Sequence, residues 1–190
     1  MPQAANLGAH EVIKIHEVLS ESINAINTAQ LFSEHCKDQS LKDIINRQLE
    51  FMTNEYNNMV SSVQQQGFQE AVPYRTTSNF SPTYGLRSPE KEMPNPSAKQ
   101  IDDRAVASAV MSAHKCSASK RLAGALECAN PELRRMLVQG AINCTDQAYE
   151  LWQFMNSKGY YQVPTMQQNT TNTMLNIYQP SNAQPFSYMS

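Results

Sequence analysis

Residues 36–68, CKDQSLKDIINRQLEFMTNEYNNMVSSVQQQGF, and residues 128–160, CANPELRRMLVQGAINCTDQAYELWQFMNSKGY, carry the same helical pattern at an offset of 92 positions. Each copy ends in a glycine followed by an aromatic residue. An internal repeat defines the structural units of a chain, so this one predicts two related helical hairpins joined by a long connection. The aligned pairs include Cys36 and Cys128, Leu41 and Leu133, Ile44 and Met136, Ile45 and Leu137, Met52 and Cys144, and Met59 and Leu151.

The composition indicates one compact domain with few charges. The chain has 190 residues, of which 41% are hydrophobic and 17% charged, which is long enough for a sizeable core. The net charge is −2 and the basic residues are scattered, so we expect no binding to nucleic acid. No apolar stretch approaches the roughly 18 residues of a membrane helix, and the first residues lack a signal-peptide pattern, so we expect no membrane insertion.

The first hairpin is predicted to contain helix 1 over residues 8–36 and helix 2 over residues 40–66. Apolar residues recur at steps of three and four along both segments, as they do on the buried face of a helix. Ser40 is the predicted N-cap of helix 2, and Gly67 its predicted left-handed stop. The predicted buried stripe of helix 1 consists of Val12, Ile15, His16, Leu19, Ile23 and Ile26.

The second hairpin is predicted to begin with helix 3 over residues 101–128, which is rich in alanine, serine and glycine. Small side chains let helix axes approach closely. Helix 4 follows, with Asn130 as its predicted N-cap and Pro131 at its first position.

Proline separates the two hairpins. The segment 67–100 contains five prolines, which exclude a continuous helix and favour extended or turn structure. We expect it to run the length of a bundle, because a connection this long needs a structural role. The predicted segments of this single domain are 1–66, the first hairpin; 67–100, the crossover linker; 101–160, the second hairpin; and 161–190, an irregular polar tail.

A hairpin, a crossover and a second hairpin predict an all-α, ferritin-like four-helix bundle. The crossover makes helices 2 and 3 parallel, and helices 1 and 3 antiparallel. Cys36 and Cys128 should then lie at opposite ends of the bundle, too far apart for a disulfide. Because zinc-type CxxC spacing is absent from the sequence, we expect reduced, buried thiols; a disulfide or redox switch is the alternative.

Di-iron centres in ferritin-like folds require glutamates and paired Glu-x-x-His motifs. Helices 2 and 4 contain no histidine, and the residues three positions after Glu50, Glu55 and Glu150 are threonine, asparagine and glutamine. Met52 and Cys144 occupy the inward positions at mid-helix. We therefore expect an apolar interior with no metal, no cofactor and no catalytic residues.

Two histidines and the methionines allow a second interpretation. His16 and His114 fall on helix faces predicted to be apolar, where a hydrogen-bonded core histidine is commoner than a ligand or a catalytic base. Helical spacing of the methionines favours core packing over a metal-binding or partner-binding surface.

The second hairpin resembles the coat F family of spore coat proteins. The matching motifs are Asn130-Pro131-Glu132-Leu133-Arg134-Arg135, Tyr149-Glu150-Leu151-Trp152-Gln153-Phe154-Met155-Asn156 and Gly159-Tyr160-Tyr161-Gln162-Val163-Pro164. The resemblance covers about residues 100–165 and extends to the first hairpin only in outline. It implies a non-enzymatic structural component of the endospore coat, made in the mother-cell cytoplasm and assembled with other spore coat proteins.

The linker and tail suggest contact points for such an assembly, because aromatic side chains are favoured at protein interfaces. The candidate attachment or cross-linking residues are Tyr74, Tyr84, Tyr178 and Tyr188. Two alternative functions stay open: a ferritin-like di-metal oxidase or catalase, and a helical adaptor that binds an amphipathic partner. An exposed apolar face on helix 3 would favour the adaptor or a homodimer.

Overall fold

The computed structural model describes residues 7–65, 67–76 and 80–181. Five α-helices and no named strand lie in these residues, so the predicted all-α helical bundle is confirmed. The fourth helix begins and ends 92 positions after the second, as the repeat requires. The helices are α1 (Ala9–Ser33), α2 (Gln39–Gln65), α3 (Asp103–Leu126), α4 (Pro131–Ser157) and α5 (Gln168–Asn176), with a 3-10 turn at Ala98–Gln100 before α3.

Side-chain contacts define the helix directions. Along α2, Gln48 meets His114 of α3, and Glu55, two turns later, meets Arg121, two turns further along α3. Both pairs advance in the same sense, so α2 and α3 are parallel, as the predicted crossover requires.

Helices α1 and α3 are antiparallel. The backbone N–H of Asn130, after α3, donates to Glu11 at the start of α1, at 2.6 Å. At the other end, the N–H of Lys37, after α1, donates to Asp103 in the first turn of α3, also at 2.6 Å.

The cysteines follow this geometry. Cys36 and Cys128 pack against apolar clusters at opposite ends of the bundle, as predicted. All four cysteines are free. Only Cys144 is fully buried, and its burial raises the pKa of the thiol to about 12. Cys116 is exposed, so the expectation of buried thiols was too broad.

Two helix ends differ from the prediction. Ser40 lies inside α2, and Asp38 is the residue that caps it, accepting from the N–H of Ser40 at 2.9 Å and of Leu41 at 3.3 Å. Gly159 adopts a left-handed φ of 76°, but Gly67 has no positive φ. The N–H of Gly67 donates to the carbonyl of Ser62 at 3.2 Å. The predicted cap of α4 is confirmed: the Asn130 side chain accepts from two N–H groups of its first turn.

The buried stripe of α1 is rotated from the predicted one. Val12, His16 and Ile23 are exposed. Small residues of α1 face α3 instead, since α3 approaches so closely that a Cβ at Gly124 would lie 3.8 Å from the Val18 side chain. Close approach of this kind favours small side chains at the contact and moves bulky ones to its flanks. The observed stripe is Glu11, Ile15, Val18, Ser22, Ala25 and Ala29.

The crossover lies along α4, held by two asparagine side chains. Asn143 accepts from the N–H of Tyr74 and donates to the carbonyl of Val72, both at 2.9 Å. Asn156 bonds in the same two-way manner to the N–H and the carbonyl of Thr83, at 2.8 and 3.1 Å. These amides supply the partners that a strand would otherwise give an extended backbone.

Candidate functional site

A layer of buried polar side chains crosses the middle of the bundle. It separates two apolar clusters, one around Leu41, Val106 and Phe154 and the other around Ile15, Met59 and Leu133. The inward residues Met52 and Cys144 lie at this level, as predicted. The expectation of a wholly apolar interior is wrong. The layer consists of Ser22, Gln48, Glu55, His114, Ser117, Arg121, Asn143, Gln147 and Glu150, all less than a tenth exposed.

Glu150 is the most heavily bonded member of the layer and is fully buried. Its Oε1 accepts from Arg47 at 2.6 Å and from Thr76 at 2.9 Å. Its Oε2 accepts from Tyr74 at 2.5 Å and from Gln48 at 3.0 Å. Burial alone would raise the pKa of this carboxyl, but the hydrogen bonds and the charge of Arg47 outweigh it, and the pKa is lowered. Glu150 is therefore a buried carboxylate with both oxygens saturated.

The predicted attachment tyrosines divide into different environments. Tyr74 is 6% exposed, and burial together with its hydrogen bond to Glu150 raises the pKa of the phenol to about 12. The crossover turns Tyr74 inward, so this candidate is not exposed at the surface, where an attachment point would have to lie. Tyr84 and Tyr178 are 68% and 79% exposed. Tyr188 lies outside the described residues.

His114 is a neutral member of the layer. The amide nitrogen of Gln48 donates to the Gln147 carbonyl at 3.1 Å and to Glu150, so the amide oxygen of Gln48 is left to accept from His114 Nε2 at 2.9 Å. This assignment places the imidazole proton on Nε2. Burial, and then the charge of Arg121, lower the pKa of His114 to about 4. His114 is thus the hydrogen-bonded core histidine that was predicted.

A buried ion pair joins α2 to α3. Arg121 contacts Glu55 at 2.8 Å, with the two side chains 6% and 8% exposed. The amide of Asn143 donates to the same carboxylate at 2.7 Å. A Cβ at Gly140 would lie only 2.2 Å from Arg121 Nη1, so the absence of a side chain there makes room for the guanidinium. The spacing of His114 and Arg121, seven residues apart on the inner face of α3, was the sequence signal for this layer.

A pocket of about 400 Å³ lies outside the ion pair, between α2 and the start of the crossover. Glu55 and Arg121 contribute to its lining together with neutral side chains such as Asn54, Asn58 and Gln65. Glu55 and Arg121 are engaged with each other, and Glu70 of the crossover is a third charged residue in the lining.

The layer is suited to fixing how the helices pair. It contains two carboxylates, Glu55 and Glu150. Arg121 within the layer neutralises the first, and Arg47 at its border neutralises the second. In the described part of the chain, no three His, Cys, Asp or Glu side chains come together as potential metal ligands. A buried network of paired polar groups penalises any register that separates them, because each group would be left unsatisfied.

Fold and layer together define an all-α bundle protein built from a duplicated hairpin. Comparison with known proteins confirms the predicted resemblance: the Coat F domain matches residues 102–164. This range contains α3, α4 and the Tyr160-Tyr161 segment. No helix in the described ranges is long and apolar enough to cross a bilayer.

Two individual proteins resemble nearly the whole chain. The spore coat protein F-like protein YhcQ of Bacillus subtilis (strain 168) is 29% identical over 179 residues, which is 93% of this chain and 82% of the relative. The crystal structure of a candidate spore coat protein from Bacillus halodurans C-125 superposes with a TM-score of 0.65, covering 88% of this chain and 99% of that one. At 16% identity, the second likeness extends to the fold alone.

Proposed function

We propose that this chain is a structural component of the bacterial endospore coat, a helical scaffold that assembles with other coat proteins. The observation that carries the proposal is the match of the Coat F domain to the second hairpin. The similarity to a spore coat protein F-like protein over 93% of the chain supports extending it to both hairpins.

The organisation of the interior supports a scaffold role. Both buried carboxylates of the layer are paired, Glu150 with Arg47 and Glu55 with Arg121. The thiol of Cys144 has a pKa of about 12, far from the range of an activated nucleophile. Glu150 and Arg121 instead connect the crossover and three helices. Such buried hydrogen bonds and ion pairs stabilise one arrangement of the helices, which is the property that a coat component needs.

The proposal is tested by localisation. A fluorescent fusion expressed from the native promoter in sporulating cells should form a shell around the developing spore and remain with the purified mature spore. A fusion that spreads through the mother cell and is absent from purified spores would contradict the proposal. Elemental analysis of the purified protein tests the alternative, since two equivalents of iron or manganese per chain would favour the ferritin-like enzyme.

We further propose that Tyr84 and Tyr178 serve as attachment points in the coat, because both side chains are largely exposed. Tyr74 is left out of this proposal because its side chain is only 6% exposed. Mass spectrometry of mature spore coats should detect cross-linked peptides that contain Tyr84 or Tyr178. Recovery of both peptides only in the unmodified form would contradict attachment through these residues.

A further inference from the structure

Helix α5 is an element of the tail without a partner. It comprises nine residues, and none of them is buried. It makes no extensive contact with the four long helices of its own bundle, as far as the chain is described. Isolated helices shorter than about 12 residues are marginal in water. A helix of this length therefore needs a surface to pack against.

The face that α5 offers to a partner is apolar and uncharged. Within α5, Thr171, Met174 and Leu175 follow the spacing of one helical stripe. Met174 and Leu175 are 53% and 66% exposed. From Gln162 to the end, the sequence contains no charged residue. The surface that receives α5 should accordingly be apolar.

The outer side of the α3–α4 pair provides a groove of this character. Its floor is formed by buried alanines, and its walls by apolar side chains that are more than a third exposed. Two cavities of about 350 and 370 Å³ lie along it. The floor is Ala118, Ala125 and Ala148, and the apolar wall residues are Leu122, Leu126, Val138 and Tyr149. Ile142, 45% exposed, lies between Val138 and Tyr149 along α4. Charged side chains also border the two cavities: Glu70, Lys115, Arg134 and Arg135.

The groove and α5 match in length. From Val138 to Tyr149, the wall on α4 extends about 16 Å at 1.5 Å per residue, and α5 is about 14 Å long on the same measure. An amphipathic helix lying in an apolar groove is a recurrent mode of recognition. The small floor residues leave room for the larger side chains of α5.

The path of the tail directs α5 away from the groove of its own chain. Tyr161 packs edge-on against Trp152 at the end of the groove. The chain then crosses α4, and Val163 pairs with Tyr84 and Gly85 of the crossover. Helix α5 begins five residues after this bridge, and none of its residues lines either groove cavity of its own chain.

We propose that α5 of one copy docks in the α3–α4 groove of a second copy, in a head-to-tail contact. The two surfaces of this contact differ, so each molecule keeps one free helix and one free groove. Such heterologous contacts propagate into open chains or rings, unlike a symmetric dimer, which closes on itself. The inference stands on the geometry of the two surfaces and does not depend on the coat assignment.

The test uses two variants of the full chain that each lack one surface. Leu175→Asp places a charge on α5, and Ile142→Asp places one in the groove. In sedimentation velocity, the wild type should form oligomers that grow with concentration, while each variant alone should associate at least tenfold more weakly. Because one variant keeps the groove and the other keeps the helix, mixing them should yield a 1:1 dimer of twice the 21.4 kDa chain mass.

The other outcomes overturn the proposal. A wild type that stays monomeric would exclude trans docking, and a Leu175→Asp protein that still dimerises would indicate a symmetric or unrelated contact. A mixture that remains monomeric would also contradict it. Ile13→Asp, at an exposed apolar position of α1 outside the groove, should associate like the wild type. If Ile142→Asp lowers the melting temperature, Leu126→Lys, at a position 79% exposed, replaces it as the groove variant.

Discussion

Replacing Glu150 tests whether the buried layer holds the bundle together. In Glu150→Ala, the two donors that bond to Oε2, from Tyr74 and Gln48, lose their acceptor in a fully buried environment. Each unsatisfied buried donor costs about 1–3 kcal/mol. Arg47, a third exposed, can recover hydration and adds less. The expected loss is about 5 kcal/mol once a small cavity is included.

Glu150→Gln should destabilise the fold less than Glu150→Ala does, because the amide replaces only one of the two carboxylate oxygens. The amide can keep its oxygen toward Tyr74 and Gln48, and turn its NH₂ toward Arg47 and Thr76, which reach solvent. We expect a loss of about 2 kcal/mol, since one charge-assisted bond and one neutral bond are lost near water.

Urea denaturation followed by circular dichroism measures both losses. For a chain of this size, 1 kcal/mol corresponds to about 2–4 °C in melting temperature, so Glu150→Ala should melt roughly 10–20 °C lower. Glu50→Ala, at an exposed position of the neighbouring helix α2, is the matched control, with an expected change within about 0.5 kcal/mol. Equal melting temperatures for the two alanine variants would refute the argument.

The acid limb of the stability curve gives an independent measurement. The pKa of Glu150 is lower in the folded chain than in the unfolded chain, where it is about 4.3. The ionised carboxylate therefore contributes to the free energy of unfolding above about pH 4.3, and this contribution disappears as the pH falls through the folded-state pKa. The wild type should therefore lose its advantage over Glu150→Gln below about pH 4. A difference between the two that is constant down to pH 2 would show that the charge contributes nothing.

Three further predictions follow from the layer and the crossover. The pKa of His114 falls from 6.5 to about 4 on folding, so the unfolded chain binds a proton at a higher pH than the folded chain does. The free energy of unfolding should therefore decline by about 3 kcal/mol as the pH drops from 6.5 to about 4. In urea titrations at several pH values, His114→Gln should show a smaller decline. Gly140→Ala should destabilise the fold by about 3 kcal/mol, because the new Cβ displaces the buried guanidinium of Arg121. Gly124→Ala is the control. Its new Cβ would lie 3.4 Å from the nearest atom, in the Leu137 side chain, so stability should change by less than about 1 kcal/mol in the same assay. Asn156→Ala should release the crossover, and trypsin should then cleave after Arg87 several-fold faster in limited proteolysis.

Each of these measurements has a direct contradiction. A wild-type urea midpoint that is flat from pH 4 to 6.5 would show that His114 is not buried neutral. Equal effects of alanine at Gly140 and Gly124 would show that space for the guanidinium is unimportant. For the crossover, Asn57→Ala at an exposed site of α2 is the control. Equal cleavage rates in the two asparagine variants would show that Asn156 does not hold the crossover in place.

The sequence predicted those features that repeat along the chain. The offset of 92 positions relates the bounds of α2 to those of α4, and the crossover follows from the prolines. Asn130-Pro131 located the start of α4 because both residues act locally, through a side-chain cap and a fixed backbone angle. The finer ferritin-like assignment and the segment boundaries stay predictions.

The polar layer was missed because most of its members have no local signal, apart from the seven-residue spacing of His114 and Arg121 on one face of α3. Glu55, Glu150 and Arg121 read as surface residues when each is considered alone, since charged side chains are rarely buried unless paired. Their pairing depends on helices that are 66 or more residues apart. Metal binding through a Glu-x-x-His motif is also only one use of a buried glutamate. Helical spacing also predicted the wrong buried face of α1. Helix α3, which packs against α1, is rich in small residues, so the two helices approach closely and small side chains are favoured at the contact.

The layer also explains why the first hairpin pairs with the second hairpin of its own chain and not with the same hairpin of another copy. At positions related by the repeat, the first hairpin has Glu55 and Ala29 where the second has Gln147 and Arg121. Two first hairpins brought together would bury Glu55 without its partner Arg121. Two second hairpins would bury Glu150 without its partner Arg47. Leaving one partner of a buried pair uncompensated costs about 3–5 kcal/mol. The difference between the halves therefore favours the bundle formed within one chain over exchange of hairpins between chains.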